Sequence, residues 1–565
     1  MTTLDWVVMC GFIGFVVFYG TWKSRNTRDV DTYIRAGKTS QWWLVALSIM
    51  ATQASAITFL STPGQAYVDG MRFVQFYLGL PIAMIILCIT AIPIYNKLNV
   101  YTAYEYLEKR FDLKNRMLGS ALFLTQRGLA AGFTIYAPAL ILSVILGWEM
   151  NITIIIVGVM VIIYTTVGGT VAVNKTHFLQ MIIITVGMFS AFFVLMMLMP
   201  EDISFIDATY VAGKMGKLDA IDFTFDLSNR YTFWSGIIGG TFLMLSYFGT
   251  DQSQVQRYLA GSSVTQSRLG LLTNGIVKLP MQFIILFIGA MVFVFYQFVT
   301  PPLFFNPVEE ASVKSGSYGT EYEMIEKEYE ELHASKQVEL KKLISSIDQG
   351  DEDLINQQTD KIVENQKKAD KLKLKATEVI KKSDPAADTN DTNYIFLSFI
   401  INFLPIGFVG LLIAAILSAS MSSTSAELNA LASTTVIDFY KRLYKKEADD
   451  HHYLKISKLA TIFWGVYAIL FALLAKELGS LIEAVNILGS LVYGTILGIF
   501  LTAFYLKKVS GTPTFLSAIL AELLVLYCYF FTEIPFLWYN LIGCLVVIFG
   551  AYLLNSVMIS TKKEI

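Results

Sequence analysis

Long apolar runs recur along almost the whole of this 565-residue chain, and they constrain its fold more than any other feature. A run of about 20 apolar residues can satisfy its own backbone hydrogen bonds as a helix while matching the thickness of a bilayer's hydrocarbon core. About thirteen such runs are read, near 4–22, 41–66, 71–95, 117–147, 151–167, 177–199, 232–250, 270–299, 405–436, 456–476, 479–505, 511–531 and 535–555. A membrane β-barrel would need strands of about ten residues with alternating polarity. These runs are longer and solidly apolar, so an all-α membrane protein is expected, multi-pass in the cell (plasma or inner) membrane. The composition agrees: 55% of residues are hydrophobic, 16% are charged, and the mean hydropathy is +0.55. A soluble chain of this size would be more polar. The net charge of −2 gives no basis for binding nucleic acid.

Orientation follows the basic residues. Lys23, Arg25, Arg28, Arg35 and Lys38 follow the first run, Lys97, Lys109, Arg110, Lys114 and Arg116 the third, and Arg257 and Arg268 the seventh. Lys441, Arg442, Lys445 and Lys446 follow the ninth, and Lys507 and Lys508 the eleventh. One alternation places all of them in the cytoplasm, with the N-terminus outside and the C-terminus inside. The first run lacks a basic leader and is not read as a cleavable signal. Cys10, Cys88, Cys528 and Cys544 all fall in apolar runs without metal-ligand spacing, so they read as packing residues. No Cys/His or Ser/His/Asp constellation suggests an enzyme.

Residues 305–392 are polar and rich in Glu and Lys. Apolar residues recur there at three- and four-residue spacing, from Ile325 to Ile347 and again from Ile355 to Val379, with Gly350 and Asp351 between. This predicts a helical hairpin outside the membrane. It is either a solvated insertion or a surface for a protein partner.

Two spans carry polar and small residues where lipid-facing helices would not. The first holds Thr52, Gln53, Ser55 and Thr58, then Pro63-Gly64; the second holds Gly239-Gly240 and then Ser246 to Gln252. Paired interruptions of this kind mark binding sites at the interface of inverted repeats. The first opens one group of five spans and the second opens the next five. Five is odd, so the second group must enter the membrane with opposite polarity. A third anomaly is the hydroxyl-rich stretch from Ser418 to Ser425, set inside the apolar run. Hydroxyls at that depth need partners, and a bare cation is one of the best.

At these residues the chain resembles the sodium:solute symporter family, which includes sodium/glucose, sodium/iodide, sodium/multivitamin and sodium/sialic-acid carriers. The landmarks are Gly168-Gly169, Gln256-Arg257-Tyr258-Leu259-Ala260, the serine-rich span through Asn429 to Asp438, and Gly498-Ile499-Phe500. The segment Tyr136-Ala137-Pro138-Ala139-Leu140-Ile141-Leu142 is most similar to the iodide, multivitamin and monocarboxylate branch. The resemblance implies the LeuT-like inverted repeat of two five-helix bundles. It implies these parts: 1–40, an extra helix and cytoplasmic loop; 41–200, the first repeat; 201–231, an extracellular loop; 232–508, the second repeat, interrupted by the 305–392 insertion; and 509–565, two further helices and a tail. It also implies a sodium ion held by carbonyls of Ala51, Ala54 and Ala419 and hydroxyls of Ser422 and Ser423. A second sodium site, found in some members, needs an acidic residue where this chain has His177 and a serine where it has Ala426. Ser425 remains, but one sodium per cycle is expected.

The resemblance places substrate beside the breaks, against Gln53, Ser55, Thr58, Phe76, Tyr77, Tyr247, Phe248 and Asn486. Sugar carriers have a carboxylate where Tyr77 stands, and sialic-acid carriers an arginine where Ala130 stands. Arg127 lies nearly one turn from Ala130 and is a candidate anion contact or a cytoplasmic-edge residue. The function implied is sodium-coupled import of a small polar solute, an organic anion before a sugar or polyol. A transporter-like sensor that uses the hairpin is the rival of another class. The short segment after the last run leaves no C-terminal kinase domain expected.

Overall fold

The computed structural model describes residues 1–24, 38–201, 203–474 and 480–563. The principal helices are α1 (Thr3–Ser24), α2 (Trp42–Gln53), α3 (Ala56–Asp69), α4 (Leu80–Ile89), α5 (Leu113–Leu146) and α6 (Met150–Met197). They continue with α7 (Gly240–Gly249), α8 (Gln252–Leu259), α9 (Val264–Phe298), α10 (Gly319–Gln349), α11 (Glu352–Ser383) and α12 (Thr392–Phe403). The last are α13 (Phe408–Thr434), α14 (Asp450–Leu474), α15 (Leu481–Tyr505), α16 (Gly511–Phe531) and α17 (Phe536–Lys563).

Among the described residues, eleven helical segments are long and apolar enough to cross a membrane. The difference from thirteen lies in the two interrupted spans, whose pieces Trp42–Gln53 and Ser235–Gly249 are too short to qualify. Helix α6 contains two of the eleven, Met150–Gly168 and Thr176–Met197. The hydroxyls of Tyr164 and Thr176 meet at 2.9 Å.

The serine-rich helix α13 is the centre of the molecule. Every residue from Leu412 to Thr434 is buried. A helix with hydroxyls and methyl groups on all sides cannot face lipid, and its neighbours α1, α2, α5, α6 and α14 enclose it. Its start is pinned by Asp5 on α1, whose Oδ1 accepts the N–H groups of Gly407 at 2.7 Å and Gly410 at 3.1 Å. The outer helices keep large apolar side chains exposed, among them Phe18, Ile163, Phe463 and Phe530. That is the surface a bilayer requires.

Of the basic residues expected on the cytoplasmic side, Arg25, Arg28 and Arg35 lie outside the described residues, while Arg116 and Arg442 meet at one end. There Arg116 pairs with Glu108 at 2.8 Å, Glu108 accepts Arg442 Nε at 2.8 Å, and Arg116 Nε donates to Asp438 at 2.7 Å. The hairpin stands at the opposite end. Gly350, at φ +71°, closes α10, and Asp351 caps α11 through Leu354 N–H. The distal hairpin residues Leu340, Leu343, Ile355 and Ile362 are buried in one hydrophobic core with the membrane helices.

The first break falls at Ala54 and Ser55, between α2 and α3. The second falls within the stretch from Ser246 to Gln252 and not at the glycine pair before it. Helix continues through Gly239 and Gly240, and the interruption lies at Thr250 and Asp251. The glycine pair serves close packing, since a Cβ on Gly240 would sit 2.9 Å from the Phe76 carbonyl oxygen. Closer still is α3 to the head of α12: a Cβ on Gly64 would lie 2.0 Å from the Thr392 carbonyl oxygen. Backbone cannot yield as a side chain can, so Gly64→Ala should destabilise the protein by about 1–3 kcal/mol or more. A lowered thermal midpoint in detergent, without a matching effect of Gly14→Ala in the open space of α1, is the expected result.

Candidate functional site

The first break and α13 meet directly. Ser422 Oγ lies 3.4 Å from the Ala51 carbonyl oxygen, and Ser423 Oγ lies 3.1 Å from the Ala419 carbonyl oxygen. Ala51, Ala54, Ala419, Ser422 and Ser423 are all at most 1% exposed. Residues 419, 422 and 423 share one face of α13, because three- and four-residue steps are helix neighbours. The donors gathered here are neutral oxygens with no carboxylate among them. That set suits a monovalent hard cation better than a divalent one, which recruits carboxylates.

The other hydroxyls of the stretch point elsewhere. Ser420 Oγ donates to the Thr134 carbonyl on α5 at 2.6 Å, and Thr424 Oγ1 donates to the same carbonyl at 3.2 Å. Ser425 Oγ accepts from Thr165 at 2.8 Å. These are packing hydrogen bonds between helices. His177 is buried, with its Nδ1 3.1 Å from Ser48 Oγ.

One turn past Ser423, Glu427 opens onto a cavity of about 90 Å³. Gln53, Ser55 and Thr58 line it from the first break, Phe76 and Tyr77 from the segment before α4, Tyr247 from α7, Asn486 from α15 and Arg127 from α5. Phe248 does not line it. That ring is fully buried and packs edge-on against Tyr247, with centroids 4.9 Å apart. Gln53 Oε1 is buried without a hydrogen-bond partner among the described residues. The first N–H groups of α3, at Ala56 and Ile57, have no partner within their own helix. Ser55 and Ile57 both line the cavity, so these donors stand close to it.

The sequence reading missed the charges around Arg127. The Arg127 guanidinium is 3% exposed and caged. Its Nη1 donates to Glu427 at 3.0 Å, its Nε donates to Asp251 at 3.1 Å, and its Nη2 also reaches Asp251 and the Tyr493 hydroxyl. Tyr493 donates to Asp251 at 2.8 Å, and Asp251 caps α8 by accepting Ser253 N–H at 2.8 Å. Arg127 is therefore a caged, fully paired cation. It joins α5, the second break, α13 and α15. Two acidic residues within apolar spans were the signal that could have found this cluster, because charges at that depth require partners.

Hydrogen bonds flank the cavity on two sides. On the hairpin side, Ser480 Oγ at the start of α15 donates to Gln65 Oε1 at 2.8 Å and lies 3.2 Å from Ser61 Oγ. On the other side lies the Arg127 cluster, with Gln254 Nε2 donating to the Tyr247 hydroxyl at 2.6 Å. A cavity between two interrupted helices, flanked by hydrogen-bonded side chains on either side, is the arrangement of a secondary transporter with alternating access.

Comparison with known proteins agrees. The model of the sodium:solute symporter family matches residues 33–316 and 376–521. The chain belongs to this family and is a sodium-coupled transporter, not an enzyme. It is 24% identical over 571 residues to the sodium/sialic acid symporter of Proteus mirabilis, covering 99% of this chain and 96% of that one. It is 31% identical to the human sodium/iodide cotransporter over 278 residues, covering 49% of this chain and 42% of that protein. A solved, substrate-bound, outward-open structure of a Na⁺-coupled sialic acid symporter matches with a TM-score of 0.73 and 22% identity over 98% of both chains. The shared fold is the LeuT-like inverted repeat.

Proposed function

We propose that this protein imports a small organic anion, of monocarboxylate size, together with one sodium ion per cycle. The observation that carries this reading is the 90 Å³ cavity set between the α3 start, the break and the Arg127 cluster. A cavity of this size suits a small solute rather than a large one. The α3 N-terminus supplies donors for a carboxylate. Sodium is held by the carbonyls of Ala51, Ala54 and Ala419 and the hydroxyls of Ser422 and Ser423. Gln53, Ser55, Thr58, Phe76, Tyr77, Tyr247 and Asn486 surround the solute.

Charge supplies the coupling. Arg127, Asp251 and Glu427 together carry one net negative charge beside the cavity, which repels an anion. Sodium at the break offsets that charge and joins α2 to α13. Sodium therefore binds first and raises the affinity for the anion, and the anion raises the affinity for sodium by the same factor. Relatives named for iodide, monocarboxylates and sialic acid support an anionic cargo.

A neutral polyol is the second reading, favoured by the engagement of Arg127 with two carboxylates of its own. Transport in proteoliposomes separates the two. One sodium with a monovalent anion moves no net charge, so pyruvate uptake should be indifferent to an imposed potential, with a sodium Hill coefficient near one. One sodium with a polyol moves one charge, driven by about 2.3 kcal/mol per 100 mV. A Hill coefficient near two would overturn the single-sodium reading, and potential-driven polyol uptake without pyruvate uptake would overturn the anion.

A further inference from the structure

A second cavity, of about 400 Å³, lies where the hairpin meets the membrane helices, away from the transport cavity. Three lysines converge on it from three elements: Lys336 from α10, Lys373 from α11 and Lys217 from the segment between α6 and α7. Lys336 is 2% exposed, and its ammonium meets Gln366 Oε1. Lys217 donates to the Val68 carbonyl at 2.5 Å and stands 4.4 Å from the centre of the Phe293 ring. The Lys373 ammonium lies 4.7 Å from the Phe305 ring centre and 5.9 Å from that of Tyr67. Among the described residues, none of the three ammoniums is within ion-pair distance of a carboxylate.

The remaining charges of the wall do not cancel them. Asp391 accepts the Phe305 N–H at 2.9 Å, and Asp370 accepts Gln366 Nε2 at 2.8 Å. His333 is held neutral, its pKa pushed down to about 4 by burial, and its Nε2 bonds the Tyr296 carbonyl oxygen at 2.8 Å. Three lysines thus face two carboxylates inside a half-enclosed space, and burial lowers the pKa of two of them, Lys217 and Lys336. Buried charges of this kind are ordinarily paired.

We propose that this cavity is an anion site, distinct from the transport cavity, that takes a small organic polycarboxylate between the hairpin and the end of α3. Burial pushes the Lys336 ammonium down to about 7; Asp370 works against this, and Lys217 and Lys373 add to it. A bound anion relieves that repulsion. Tyr67 and Val68 form the end of α3, the half-helix whose other end faces the transport cavity. A ligand bridging Lys336 and Lys373 to this end ties the hairpin to a helix that must move during alternating access. Binding therefore modulates uptake without the ligand being carried.

The test uses the purified full-length protein in nanodiscs, with citrate as the probe and sucrose as the neutral control. Citrate should raise the thermal midpoint saturably and sucrose should not. K336Q/K373Q should weaken the citrate response at least tenfold, while K381Q, exposed at the end of α11, should leave it unchanged. The response should persist in S423A, which separates this site from sodium-coupled transport. If the double variant does not fold, citrate should protect Lys373 and Lys217 of the native chain, but not Lys381, from acetylation read by mass spectrometry. No citrate response in the native protein, an unchanged response in K336Q/K373Q, or no selective protection would overturn the site.

Discussion

Ser423→Ala should abolish sodium-stimulated uptake while leaving the protein in the membrane at its normal level. The hydroxyl lies on the face of α13 that meets the first break, 3.1 Å from the Ala419 carbonyl oxygen. Alanine removes one oxygen from a set of five and replaces it with a methyl group that cannot face a cation. The helix itself loses little, because alanine is the best helix former and the lost bond is local. The predicted signature is thus a split: no sodium response, but wild-type expression and a thermal midpoint within a degree or two in sodium-free buffer. Ser420→Ala is the control. Its hydroxyl bonds the Thr134 carbonyl on α5 instead, so it should lower stability by about 1 kcal/mol and keep sodium dependence. Unchanged sodium dependence in Ser423→Ala would refute the site.

These two neighbours show how far the sequence could be read. The hydroxyl stretch announced that α13 is not a lipid-facing helix, and helical spacing picks out 419, 422 and 423 as one face. The partner of that face is a break more than 360 residues earlier, and only the fold shows the 3.4 Å approach of Ser422 to Ala51. The second break lies inside the polar stretch read from the sequence, but not at its glycine pair, for a physical reason. Gly239 and Gly240 looked like breakers, yet they serve to admit the Phe76 backbone. The chain instead interrupts at Asp251, whose side chain caps the next helix. Phe248 illustrates a finer limit. Helical neighbours 247 and 248 point about 100° apart, and here only Tyr247 lines the cavity; periodicity does not say which of the two does.

The Arg127 cluster yields the other large effect. Arg127→Met should leave Asp251 and Glu427 facing one another in a buried space without their cation. Breaking a buried pair in this way costs about 3–5 kcal/mol, enough to deplete folded protein after extraction. Neutralising the two carboxylates as well, in R127M/D251N/E427Q, should recover most of the loss, because no uncompensated charge then remains. E427Q alone tests a different role. It keeps the Arg127–Asp251 pair, so the protein should fold, but it removes the carboxylate one turn from Ser423. At roughly 6 Å and an effective dielectric constant of about 20, a unit charge acts on a cation with an energy on the order of 2–3 kcal/mol. The sodium half-saturation concentration should therefore rise at least tenfold in E427Q, measured as sodium-dependent uptake. An R127M protein as stable as the native one would show that the cluster is solvated, and an unmoved sodium dependence in E427Q would show that its charge does not reach the ion.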